Sequence, residues 1–294
     1  KAAASTAGAS ATVASMLALP LICSTIAALA IVPLTCRVLA VGPLARDNYR
    51  GRRIASPLGI AIVLASLATL ALLALAAQLS HRALLGGDVG WVCLFVLGVA
   101  LLGLADDAFA GPARGWRGHA AALRAGCLDL GAVKAVGTFG LALLIALGRG
   151  GGSGRVVLDV ATLVLATHAF NLVDLRPGRA VKSFVVLAAG LTIATGELHP
   201  LSVLGLFVGP ALVVGLYDVR ERGMLGDTGA GLLGALAGLW LVLTLSSAGL
   251  VVAIAALAAI AIYGEFRSIS AFVERAPVLR HLDSIGRPND AIDA

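Results

Sequence analysis

The sequence predicts an all-α, polytopic transmembrane helical bundle of about nine to ten spans. Three observations carry this. The 294 residues are 59% hydrophobic. Only 13% are charged, where globular chains carry about 25%. The apolar residues also fall in runs near the roughly 20 residues that a helix needs to cross the hydrocarbon. The chain reads as one integral-membrane domain over 1–294 with an amphipathic tail from about 265.

The first run, 12–36, follows a nearly uncharged stretch. It is too long for a signal-peptide core and lacks a clear cleavage signature, so it reads as the first span. Runs 57–79 and 89–105 follow, the latter ending on Asp106-Asp107. Run 130–148 is short unless Lys134 snorkels to the interface. Run 156–172 ends at Asn171, and only Glu197-Leu198-His199-Pro200 separates runs 182–198 and 200–217, a tight hairpin. Runs 228–246 and 248–264 complete the set. The Gly-rich stretch 148–154 is a flexible connector, because no Lys-Ser/Thr follows to make it a phosphate loop. Beyond 264, Ile269, Phe272 and Val273 and then Val278, Leu279, Leu282 and Ile285 recur at helical spacing among charges. That pattern predicts helix lying on the inner membrane surface.

Charge sets the predicted orientation. With the N-terminus outside, 18 of the 22 Lys and Arg fall on the cytoplasmic side, leaving Lys1, Arg82, Arg149 and Arg155 outside. The positive-inside rule then places the C-terminus inside. The net charge of +6 follows from this asymmetry and gives no reason to expect nucleic acid. Thirteen of the 16 Asp and Glu fall on the same side, which the rule does not require. Cys23, Cys36, Cys93 and Cys127 are scattered with no C-x-x-C pair, against a zinc site or a disulfide framework.

Three acidic motifs share that side. Acids at a membrane boundary cost free energy unless they are used, and three converging sites would suit a divalent cation. Gly226-Asp227-Thr228-Gly229 opens a long apolar run. Its Asp is either a helix N-cap or a Mg²⁺ ligand beside N–H groups free to meet phosphate. Asp106 and Asp107 end a helix, where acids oppose the macrodipole. Adjacent helical residues point about 100° apart, so one can bind metal while the other accepts a proton or holds a lysine. Asn171-Leu172-Val173-Asp174 leads into Arg176, Arg179 and Lys182, which either anchor the span or neutralise phosphate. His168, three residues before Asn171, reads as a packed histidine. The basic loop 46–53, ending in Arg53, and the loop 111–129 with Arg114, Arg117, His119 and Arg124 carry the same two readings.

With these residues in order, the chain resembles the polyprenyl-phosphate N-acetylhexosamine-1-phosphate transferase superfamily, which includes the phospho-MurNAc-pentapeptide translocase. The basic loop leading to Ser56-Pro57-Leu58-Gly59 is similar to the family's first cytoplasmic loop, and Asp106-Asp107 to its acidic pair. Asn171-Leu172-Val173-Asp174 is similar to the start of its Asn-x-x-Asp-Gly-x-Asp-Gly motif, and Met224–Ala230 to its Met-Gly-Asp-Thr-Gly-Ser motif. Two features depart from the pattern. The second Asp of the third motif falls on Pro177, and the His-rich motif of the last inner loop is absent, leaving His281.

The resemblance implies a Mg²⁺-dependent enzyme, with Mn²⁺ as a substitute, in a bacterial plasma membrane with its active site facing the cytoplasm. It would transfer a sugar-1-phosphate from a UDP-sugar to polyprenyl phosphate, and a homodimer is known for the family. Asp227 would hold the metal, and Asp106, Asp107 and Asp174 would be catalytic, Asp106 being favoured to deprotonate or position the lipid phosphate. Asn171, Arg176, Arg179, Lys182 and Arg53 would bind substrate. Two other readings stay open: an inactive relative serving as a scaffold, and a lipid or solute transporter, which would place charges at mid-span.

Overall fold

A computed structural model describes residues 2–109 and 129–288, with side chains from residue 18. The described chain is helical throughout apart from one small hairpin. In order it forms α1 (Ala2–Val41), the hairpin β1 (Arg46–Asp47) and β2 (Arg53–Ile54), α2 (Gly59–Ser80) and α3 (Val89–Phe109). After the second loop come α4 (Leu130–Arg149), α5 (Ser153–Val173), α6 (Arg179–Thr195), α7 (His199–Val219), α8 (Gly226–Thr244) and α9 (Ser247–Phe266). Short helices α10 (Ile269–Arg275) and α11 (Pro277–Ser284) form the tail.

Among the described residues, eight helices are long and apolar enough to cross a membrane, which makes this a multi-pass membrane protein. The remaining predicted span, 182–198, is α6. At 17 residues it rises about 26 Å, short of a hydrocarbon layer of about 30 Å. It begins at Arg179, three residues before the predicted start, because Gly178 at φ +76° turns the chain directly into the helix.

α8 is the axis of the bundle: 83% of its apolar window is buried, against 11% for α9. Small residues let its neighbours in. A side chain on Gly103 of α3 would collide with the Asp227 carbonyl, and one on Gly234 of α8 would lie 2.6 Å from the Thr167 Cα of α5. Both ends of α8 are clamped by charges that complement its dipole. At the C-terminal end Arg155 donates to the Val242 (2.7 Å) and Leu245 (3.1 Å) carbonyls and pairs with the buried Asp159 at 2.7 Å. The N-terminal clamp belongs to the acidic site.

The hairpin and the α7–α8 loop are joined by backbone. Met224 N–H donates to the Ala55 carbonyl (2.8 Å), and Leu58 N–H to the Met224 carbonyl (2.7 Å). Buried Glu221 accepts from Asn48 Nδ2 (3.2 Å) and Tyr49 OH (2.9 Å) and pairs with Arg50 at 3.0 Å. These loops, the α5–α6 turn and the tail all lie at one end of the helices, so that end carries the polar chemistry.

The tail is helical as predicted, and it also contacts the bundle. The Arg179–Asp283 ion pair pins α11 to the start of α6, a hydrogen bond from Arg179 to Ser270 pins α10, and neither helix buries any of its residues.

Candidate functional site

Two of the three acidic motifs, Asp106-Asp107 and Gly226–Gly229, converge where α3 ends and α4 and α8 begin. Their carboxylates divide the work. Asp107 turns to the start of α8: its Oδ1 accepts from the Asp227 N–H (2.9 Å), and its Oδ2 accepts from the Thr228 N–H (2.8 Å) and Thr228 hydroxyl (2.6 Å). This is a helix cap supplied from a neighbouring helix, and it resolves the poor fit of an acid at the end of α3. Asp106, about 100° further around the helix, accepts instead from Lys134 Nζ at 3.2 Å. The same ammonium donates to Asp227 Oδ2 at 2.7 Å.

Two sequence expectations are corrected here. The N–H groups of Asp227 and Thr228 are held by Asp107 and do not stand free for phosphate. Asp227 is not the N-cap either; it lies in the first turn of α8 with its side chain 44% exposed, toward Lys134 and Asp106. Gly226 makes this possible. It sits at φ +70°, and a side chain there would overlap Pro57 and the Asp107 carboxylate.

Lys134 is the residue that sequence reasoning misplaced. It does not snorkel outward but points into the bundle between two acids, with its side chain 14% exposed. The missed signal was a lone cation inside an otherwise apolar run, which by itself marks a functional position. Arg46 was also overlooked. Its guanidinium donates to the Asp107 carbonyl at 2.7 Å and so ties the basic hairpin to the acids.

Asp174 stands apart, on a small cavity of about 90 Å³ lined by Asn48, Tyr49, Arg176, Asp218 and Leu225 among others. Burial pushes its carboxyl well above the usual carboxylate range, and the charges of Asp218, Asp227 and Asp107 add to the rise. Asp218, unremarked in the sequence, is buried and accepts from the Gly178 N–H at 2.7 Å. An acid whose neutral form is favoured in the fold destabilises it as pH rises through the folded pKa. Asp174→Asn is therefore expected to raise Tm at neutral pH, with the gain fading on acidification. Thermal unfolding at two pH values in detergent checks this, and a lower Tm at neutral pH would rule out the strain. Asn171 donates to the Thr167 carbonyl at 3.1 Å, while its buried Oδ1 has no hydrogen-bond partner among the described residues.

The three cations after Asp174 have partners within the chain itself. Arg179 is buried and forms a two-pronged pair with Asp283, both contacts 2.9 Å, and donates to Ser270 Oγ at 3.1 Å. Lys182 donates to the Leu282 (3.2 Å) and Asp283 (2.7 Å) carbonyls. Arg176 stacks over the Tyr49 ring at 4.6 Å and pairs with Glu274 at 3.4 Å. All three meet the tail, where the sequence suggested phosphate. Arg53 lies exposed in β2 opposite Asp47. Arg114, Arg117, His119 and Arg124 of the second loop fall outside the described residues. His168 is exposed on α5, not packed as expected.

The latch around Asp283 has a defined pH window. Burial alone would raise this carboxyl, but the Arg179 hydrogen bonds and the charges of Arg179 and Arg287 outweigh it and hold the group below the usual 3.8. A depressed carboxylate pKa stabilises above its unfolded value and loses that contribution as pH falls through the folded one. The tail is thus expected to resist proteolysis unchanged from pH 8 to 5 and to lose protection only below about pH 4. Release near neutrality would contradict the latch.

Among the described residues, no group of three or more His, Cys, Asp and Glu is arranged to hold a metal ion. The donor set at Lys134 is smaller: two carboxylates already gathered around one positive charge. Mg²⁺ commonly takes one or two carboxylates and completes its shell with water and substrate phosphate. Asp106 and Asp227 fit an ion of that kind and do not fit one held by protein alone. No protein-family model matches the chain, and no curated protein matches it.

Proposed function

We propose that the protein is a phosphoglycosyl transferase of the plasma membrane, moving a sugar-1-phosphate from a UDP-sugar to polyprenyl phosphate at the polar end of the bundle. The observation that carries this reading is the Asp106–Lys134–Asp227 cluster, two carboxylates sharing one ammonium at the end of an apolar bundle. Acids and bases placed together suit a reaction whose substrates are both anionic phosphates. The basic hairpin reaches the same point through Arg46.

In the proposed reaction a lipid phosphate oxygen attacks the sugar-bearing phosphorus of the donor. The bond to the bridging oxygen breaks, and UMP leaves with that oxygen. Asp106 orients the attacking phosphate and takes its proton when it carries one. Lys134, freed from one carboxylate, offers its charge to a phosphate oxygen. Asp227 with Asp106 would hold Mg²⁺, or Mn²⁺ in its place, which when bound neutralises charge on the leaving diphosphate. Asp107 has a positioning role, because its oxygens hold α8 and with it Asp227. Asp174 and Asn171 would orient the nucleotide at the small cavity.

Under this proposal the polar end faces the bacterial cytoplasm, as the charge asymmetry implies. The transporter reading places charges at mid-span, whereas these acids lie within the last or first turns of their helices. The scaffold reading has one observation in its favour: the tail occupies Arg176, Arg179 and Lys182. UMP release by the purified protein with Mg²⁺, undecaprenyl phosphate and a panel of UDP-sugars separates the two. Release that requires the lipid supports the transferase; no release with any donor, beside an active control enzyme, supports the scaffold.

A further inference from the structure

Arg179 and Arg287 pair with the single carboxylate of Asp283, and Lys182 donates to the Leu282 and Asp283 backbone carbonyls beside it. All the described contacts of the Arg179 guanidinium go to the tail. Arg287 also reaches the Pro177 carbonyl at 3.1 Å, which closes the tail over the α5–α6 turn. Asp218 is the other acid whose charge reaches Lys182 and Arg287. Asp174 also reaches Arg179 by charge, and burial favours its neutral form, so the group keeps an excess of one positive charge.

Apolar packing contributes little to this attachment. Neither tail helix buries a residue, and Val278 and Ile285 remain 72% and 51% exposed. Extended residues Arg267 and Ala276 bound the two helices and provide hinges. Directly beside the cations lies an apolar cavity of about 490 Å³, walled by Val186, Ile260, Tyr263, Phe272, Leu279 and Leu282. Arg179, Lys182 and Asp283 line the same cavity.

We propose that the tail is an autoinhibitory strap: the Asp283 carboxylate fills an anion seat on Arg179, the Leu282 and Asp283 carbonyls occupy Lys182 beside it, and a lipid-borne phosphate monoester displaces both. Charge complementarity selects the ligand. A phosphate monoester carries up to two negative charges and three acceptor oxygens, a better match to the cations than one carboxylate. The walls that stay when α11 leaves, Val186, Ile260 and Tyr263, select a phosphate carried on a hydrocarbon chain over a free one. Once released, the exposed apolar edge of α11 enters the membrane surface, as amphipathic helices do. The inference rests on the proposed function only in taking a polyprenyl phosphate as the natural ligand; the seat and the strap stand on the geometry above.

The test is hydrogen–deuterium exchange of the full chain in phosphatidylcholine nanodiscs, with no nucleotide sugar present, reading the amides of 277–288. Adding undecaprenyl phosphate to the bilayer is expected to speed their exchange about tenfold or more. Uncharged undecaprenol and inorganic phosphate are each expected to leave it unchanged. Asp283→Asn should exchange fast without any lipid, because its amide cannot replace the two-pronged ion pair. Slow exchange in that variant would overturn the strap. Unchanged exchange with the lipid phosphate, or opening by inorganic phosphate or undecaprenol, would overturn the ligand assignment. Because no turnover is measured, failure here is distinct from failure of the transferase reading.

Discussion

Asp227→Asn is expected to lower lipid-dependent UMP release by at least about 10³-fold, close to 4 kcal/mol of transition-state stabilisation. The change removes one of two carboxylates gathered around Lys134, the charge that a divalent cation would need. It should leave folding nearly intact, because the side chain is 44% exposed and Lys134 keeps its contact to Asp106. Asp106→Asn is expected to act in the same direction, with unchanged Tm. Lys134→Gln supplies the counter-test. Without the ammonium, Asp106 and Asp227 face each other as like charges, so Mg²⁺ should bind more tightly while turnover falls. The measurements are Mg²⁺ binding by calorimetry and UMP release, each beside a melting curve. Loss of activity in step with loss of Tm would remove the assignment.

Asp107→Ala should produce the largest loss of stability in the acidic group. It removes the acceptor for two backbone N–H groups and one hydroxyl at the start of the central helix. Hydrogen bonds to a charged partner are worth about 1.5–3 kcal/mol each and a lost cap about 0.5–2. Because such terms do not add fully, about 3 kcal/mol is the expected cost. Asp107→Asn keeps one acceptor oxygen and should lose less. Activity should decline with Tm across the two variants, whereas inactive Asp107→Asn with wild-type Tm would make Asp107 catalytic and not a positioning residue.

Most of the helical architecture was legible because its cause is local. Hydrocarbon thickness sets the length of an apolar run, so α2, α3, α4, α7 and α9 begin and end within about two residues, or one turn, of their predicted limits. α1 extends further, from Ala2 to Val41, because nothing in the sequence stops it, and its two prolines lie inside the helix. α6 was displaced toward its N-terminus because Gly178, with its positive φ, permits an earlier start than hydropathy marks. The tail was legible as helix but not as a docked element. Its spacing says which face is apolar; only the positions of Arg179 and Lys182 say where its acid goes.

The amino-acid sequence by itself determined the membrane class, the crowding of acids and bases at one end of the bundle, and the three motifs that meet there. These follow from composition and from the cost of placing charge in hydrocarbon, both properties of short segments. The division of labour was decided by tertiary structure alone. Asp106 and Asp107 are chemically identical neighbours, and what separates them is the 100° turn of α3, which aims one at Lys134 and the other at the start of α8. Lys134 and Asp227 are 93 residues apart, and Arg179 and Asp283 are 104 apart. Whether a cation meets substrate or another part of its own chain depends on contacts at that range, which hydropathy and local spacing do not encode.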